Sequence, residues 1–170
     1  MPRSARSPRA DRPFVFRHRW AVPRPADEVM ELLGDPLRYP EWWPAIPRAV
    51  PLPREGASAP GGPTAGERAE VGLVGLVPVR LLMERIVDDR ERGVLVAALH
   101  GDLEGTVRVD VRGSAPGHCL VAWTQEVTLG TGWMRVVAAV PGGRAAMGVS
   151  HAVAMRAGRR SLGATSLPSR

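Results

Sequence analysis

Only one cysteine, Cys119, occurs in the 170 residues. No internal disulfide can form, and a reducing, cytoplasmic setting is the expectation. Lysine and asparagine are absent, so all 23 basic side chains are arginine. Phenylalanine occurs twice and tyrosine once. A core built without them must rest on Val, Leu, Ala and the tryptophans. No apolar run approaches the ~20 residues of a membrane span. Met1 to Arg12 is rich in Arg, Ser and Pro with no apolar segment behind it. No secretory signal is expected there.

Motifs that would mark several kinds of chemistry are also missing. There is no CxxC, HExxH or comparable cluster, so a metal site is not expected. Val71-Gly-Leu-Val-Gly-Leu does not match GxGxxG, and no Walker sequence occurs, so no nucleotide cofactor is expected. No GxSxG elbow is present, and Cys119 has no motif around it, which leaves covalent hydrolysis without support.

The net charge of +6 sits at the ends of the chain. Residues 1–12 hold four Arg and one Asp, for +3, and residues 156–170 hold four Arg and no acid, for +4. Residues 13–155 therefore carry −1. A nucleic-acid binder more often shows a basic stripe with interleaved aromatics on a folded element. Nucleic acid is not an expected partner, and the exclusive use of arginine reads as compositional bias.

Hydrophobic periodicity supplies the fold. Phe14, Phe16, His18, Trp20 and Val22 alternate with more polar neighbours, which predicts a strand with one buried face. Pro23 and Pro25 end it, and Ala26 to Leu33 predicts a short helix. A second short helical segment runs from Asp35-Pro36 to Trp43. Strands follow at 46–52, 67–77, 79–89, 94–100, 103–112 and 119–129, with a Gly- and Pro-rich loop at 54–66. The 94–100 strand is apolar on both faces and is expected to be covered on both. Met147, His151 and Met155 recur at helical spacing within a helix from Arg144 to Arg160. Pro141-Gly142-Gly143 predicts a break before it. One amphipathic helix after a set of antiparallel strands must bury its stripe against the sheet. The expected class is α+β: about seven strands curved around one long C-terminal helix. The expected organisation is a disordered tail at 1–12, one domain at 13–163 and a disordered tail at 164–170.

This order resembles the helix-grip fold of the START-related, or SRPBCC, superfamily of polyketide cyclase/dehydrase and lipid-transport-like proteins. The similar stretches are Pro-Ala-Asp-Glu-Val at 25–29, Asp35-Pro36 through Tyr39-Pro40 to Trp42-Trp43-Pro44, and His100-Gly101-Asp102-Leu103-Glu104-Gly105. His151, Met155 and Gly158 of the last helix complete the set. The resemblance implies an apolar cavity between sheet and helix that binds lipids, polyketides or other hydrophobic molecules. It also implies that some members catalyse cyclisation or dehydration.

The expected cavity wall comprises Trp42, Trp43, Trp123, His100, Met147 and His151. With so few Phe and Tyr, the interior is expected to hold a space of the ~300–1,000 Å³ common to ligand pockets. Trp133 is a further large apolar surface. Each of these tryptophans can equally serve as plain core. His18, His100 and His151 each lie on an otherwise apolar side of their element and could move a proton on a bound carbonyl or hydroxyl, or be structural. An enzyme reading would use His100 or His151 as general acid/base, with Arg80 or Glu84 orienting the substrate. Arg80 and Glu84 share one strand face, which could line the cavity or meet solvent. Asp102 and Glu104 beside two glycines read more readily as turn-forming acids than as a catalytic pair. The leading expectation is binding of a small hydrophobic molecule without a cofactor. A cyclase- or dehydratase-like enzyme and a protein-interaction module are the alternatives.

Overall fold

The computed structural model describes residues 12–52 and 68–164. The expected tails at 1–12 and 164–170 and the loop at 54–66 fall almost entirely outside the described residues. The two described tail residues are ordered neighbours of the fold. Arg12 accepts a hydrogen bond at its carbonyl from Arg144 Nη2 at 3.2 Å, and Ala164 closes the last helix.

The chain begins with strand β1 (Phe14–Val22), helix α1 (Ala26–Gly34), a 3-10 turn (Pro36–Arg38) and short helix α2 (Tyr39–Trp42). Strands β2 (Arg48–Leu52), β3 (Arg68–Leu73), β4 (Val79–Asp89), β5 (Val94–Gly101), β6 (Leu103–Ala115) and β7 (His118–Leu129) follow. Helices α3 (Gly132–Ala139) and α4 (Gly143–Ala164) end the described chain. The seven strands form one antiparallel sheet in the order β1-β7-β6-β5-β4-β3-β2. This is the expected helix-grip architecture.

Alternation in the sequence becomes alternation in burial. On β7, Cys119, Val121, Trp123, Gln125, Val127 and Leu129 are all buried while their neighbours mostly face outward. Trp20 of β1 stacks on Trp123 with ring centroids 6.1 Å apart. The strand expected at 67–77 ends at Leu73. Val74 to Pro78 is an irregular connection, with Gly75 close against Ser150 of α4. β5 is buried on one face only: Leu95 and Leu99 point inward, whereas Val96, Ala98 and His100 lie on the other face. Among the described residues no second layer covers that face, so the expectation of a doubly covered strand is corrected.

The break before the last helix is present. Val140 has extended geometry (φ −67°, ψ 141°). Pro141 cannot donate to the helical ladder, and Gly142 takes φ +81°, a conformation that glycine adopts without cost. α4 then buries Met147, Ala154, Met155, Gly158 and Leu162 at spacings of three, four and seven, one stripe along its length. Its far end is held by the buried Arg24, whose Nε donates to the Leu162 carbonyl at 3.1 Å. A cation at a helix C-terminus is favourable there, and Glu28 steadies the same guanidinium at 3.1 Å.

Candidate functional site

Between α4 and the concave face of the sheet lies an apolar cavity of about 80 Å³. β1 contributes Phe14 and Phe16, β4 contributes Leu81 and Met83, and Val71, Leu99 and Val107 come from β3, β5 and β6. Trp43 and Trp123 supply the two indoles of the wall. α4 closes it with Met147, Ser150, His151, Ala154 and Met155. No charged side chain is part of this wall among the described residues.

The polar groups of the wall are few, and several are already engaged. The Tyr39 hydroxyl donates to the Leu33 carbonyl at 2.7 Å. Its burial raises the phenol well above its ordinary pKa. The Trp123 indole N–H reaches Gln125 Oε1 at 3.4 Å. Trp43 donates to the Ala154 carbonyl at 2.8 Å, from the wall into the helix backbone.

His151 differs from these. Its ring stacks on Phe16 with centroids 3.9 Å apart, and the His18 ring lies 5.2 Å away on β1. Nε2 of His151 and Nε2 of His18 are both buried, with no hydrogen-bond partner among the described residues. Burial, and secondarily the neighbouring His18, push the His151 pKa down to about 4. Burial also lowers that of His18. Both rings are therefore neutral near pH 7.

Of the residues expected at the site, Trp43, Trp123, Met147 and His151 lie on the cavity wall. Trp42 does not. It is buried, edge-on to Tyr39 at 5.6 Å and stacked on Trp43 at 5.1 Å, so it packs behind its neighbour. His100 is corrected more sharply. It is exposed, and its Nδ1 pairs with Glu104 Oε2 at 2.9 Å on the outer face of the sheet. Arg80 and Glu84 also stand on the outward face of β4, because Leu81 and Met83 take the inward positions. Arg80 borders an open depression of about 570 Å³ with Arg48 and Trp133, and this depression shares Leu73, Val74 and Val79 with the cavity wall.

The expected cavity volume is corrected as well. The space of about 80 Å³ is well below ~300 Å³, and Leu81, Met83, Leu99 and Trp123 from the strands line it. Asp102 and Glu104 are turn formers, each in its own way. The Asp102 carboxylate accepts from the Arg80 amide at 2.8 Å, Thr131 Oγ1 at 2.9 Å and Trp133 Nε1 at 2.8 Å. Glu104 accepts from the Gly101 amide at 2.9 Å. Sequence reasoning missed Phe16 and Ser150 as wall residues. The period-two pattern of β1 was the available signal for Phe16. For Ser150 the signal was its place beside His151 on the last helix.

An open antiparallel sheet gripping a C-terminal helix over an apolar cavity defines a helix-grip protein of the START-related superfamily. Within it, the chain belongs to the polyketide cyclase/dehydrase and lipid transport family, which matches residues 13–162. Comparison with curated protein sequences returns no match. Among solved structures, the chain is similar to the Zhui aromatase/cyclase from Streptomyces sp. R1128, with TM-score 0.71 and 14% identity over 90% of this chain and 93% of that one. It is similar to a START superfamily protein from Mycobacterium smegmatis, with TM-score 0.63 and 14% identity over 89% and 99%. The major latex-like protein 151 of Panax ginseng gives TM-score 0.65 and 15% identity over 92% and 99%. At these identities the likeness is one of fold. No helix of the described residues is long and apolar enough to cross a membrane.

Proposed function

We propose that this protein binds a small hydrophobic molecule, lipid-, polyketide- or aromatic-like, between the sheet and α4. The observation that carries the reading is the wall itself: apolar side chains from β1, β3–β7 and α4 converge with no charged group among them. Burial of apolar ligand surface there contributes about 25 cal/mol per Å² before the costs of association. A space of about 80 Å³ must widen to admit a fused-ring or acyl compound. Met83, Met147 and Met155 in the wall are unbranched and repack at low cost. No metal or cofactor is needed for such binding.

The cyclase- or dehydratase-like reading has less support. His100, Arg80 and Glu84 face away from the cavity, which leaves His151 as the one expected acid/base on its wall. With a pKa near 4 that imidazole is a weak base at neutral pH. The test is a titration of fused-ring and long-chain acyl compounds followed by tryptophan emission. Saturable quenching that weakens in Trp123→Phe is expected. Unsaturable or absent quenching would favour the protein-interaction module.

A further inference from the structure

Resting on the hydrophobic-ligand reading, we propose that the cavity corner formed by Ser150 and His151, backed by His18, selects uncharged ligands that carry a hydroxyl and rejects carboxylates. Three observations support this choice.

Among the described residues the wall offers no cation. On α4, Arg144 is engaged elsewhere: its guanidinium lies over the Phe14 ring at 3.9 Å and donates to the Arg12 carbonyl at 3.2 Å. A carboxylate buried without a cation and a full set of donors loses its hydration uncompensated.

The second observation concerns unmet hydrogen-bonding capacity. Nε2 of His151 and Nε2 of His18 are buried without partners among the described residues. A neutral imidazole presents one donor and one acceptor nitrogen. A hydroxyl can satisfy either kind because it donates and accepts through one atom. Leaving a buried polar nitrogen unmatched is costly, so a ligand that satisfies it gains over one that does not.

Third, the two rings discourage charge at the corner. With centroids 5.2 Å apart, a proton gained by one ring repels a proton on the other. The Phe16 face against His151 offers no counter-charge. An imidazolium that would welcome a carboxylate is disfavoured chiefly by the burial of His151 and secondarily by His18. His18 is not part of the wall; its ring stands beside that of His151.

The experiment is calorimetric titration, near neutral pH, with naphthol, naphthalene and naphthoate, which share one apolar body. Naphthol is expected to bind at least about tenfold more tightly than naphthoate and several-fold more tightly than naphthalene. His151→Phe should retain naphthalene affinity and abolish the advantage of naphthol. Thermal melts report whether that variant is folded, and the ranking on the unaltered protein stands without it. Naphthoate binding as tightly as naphthol overturns the proposal. Three equal affinities also overturn it and leave the hydrophobic-ligand reading in place. Failure of all three probes to bind removes that reading and the proposal together.

Discussion

The Trp43 indole N–H donates to the Ala154 carbonyl at 2.8 Å, and the same ring fills the space where Gly158 lacks a side chain. A Cβ built at Gly158 would meet Trp43 Cε2 at 2.5 Å. The loop after α2 and the C-terminal helix are locked together at that point, and Trp43 remains a wall of the cavity.

Gly158→Ala therefore reverses the usual rule. In an open helix the change stabilises by about 1 kcal/mol. Here the indole must shift or the helix must move, and a net loss of about 1–3 kcal/mol is expected. Urea unfolding measures it. An increase in stability would show that Trp43 relaxes freely.

Asp102 ties the β5–β6 corner to the start of α3 through three accepted hydrogen bonds. Asp102→Ala leaves those donors unmatched and should cost about 2–4 kcal/mol. Asp102→Asn can keep the bonds to Thr131 and Trp133 but presents an NH₂ to the Arg80 amide, so an intermediate loss is expected. Equal stability of all three proteins in thermal melts would contradict a structural role.

His100 lies outside the cavity, half exposed beside Glu104. His100→Ala should leave ligand affinity unchanged and stability within about 0.5 kcal/mol. A selective loss of binding would bring the β5–β6 corner back into the site.

Acid should weaken the fold through His151. Its pKa is pushed from 6.5 down to about 4 in the folded chain. Between those values the unfolded chain binds a proton that the folded chain refuses. Stability is therefore full above about pH 6.5 and is lost as pH falls toward 4, by roughly 1–3 kcal/mol at most. His151→Phe should flatten that part of the pH profile of the urea midpoint. An unchanged profile would assign the acid sensitivity to other groups.

The strand order and the final helix were legible because β1, β7 and α4 each carry a clean period, two for the strands and about 3.6 for the helix. Parity failed where both faces of a strand are apolar. In β4, Leu82 lies on the same face as Arg80 and Glu84, while Leu81 and Met83 point inward. In β5, Val96 and Ala98 accompany His100 outward. Alternation alone could not choose between those faces. Trp42 and Trp43 are adjacent in a short helical turn, and which of them faces the cavity depends on a contact more than 100 residues away. The same long range hides the meaning of Gly158 and the pairing of His18 with His151.

Native mass spectrometry with a fused-ring aromatic compound tests occupancy of the cavity most directly, when the unaltered protein is set beside Met147→Trp. One compound per chain, saturating and lost when the tryptophan fills the cavity, is the predicted result. Binding that appears only after denaturation, or that is equal in both proteins, would contradict a ligand site between the sheet and α4.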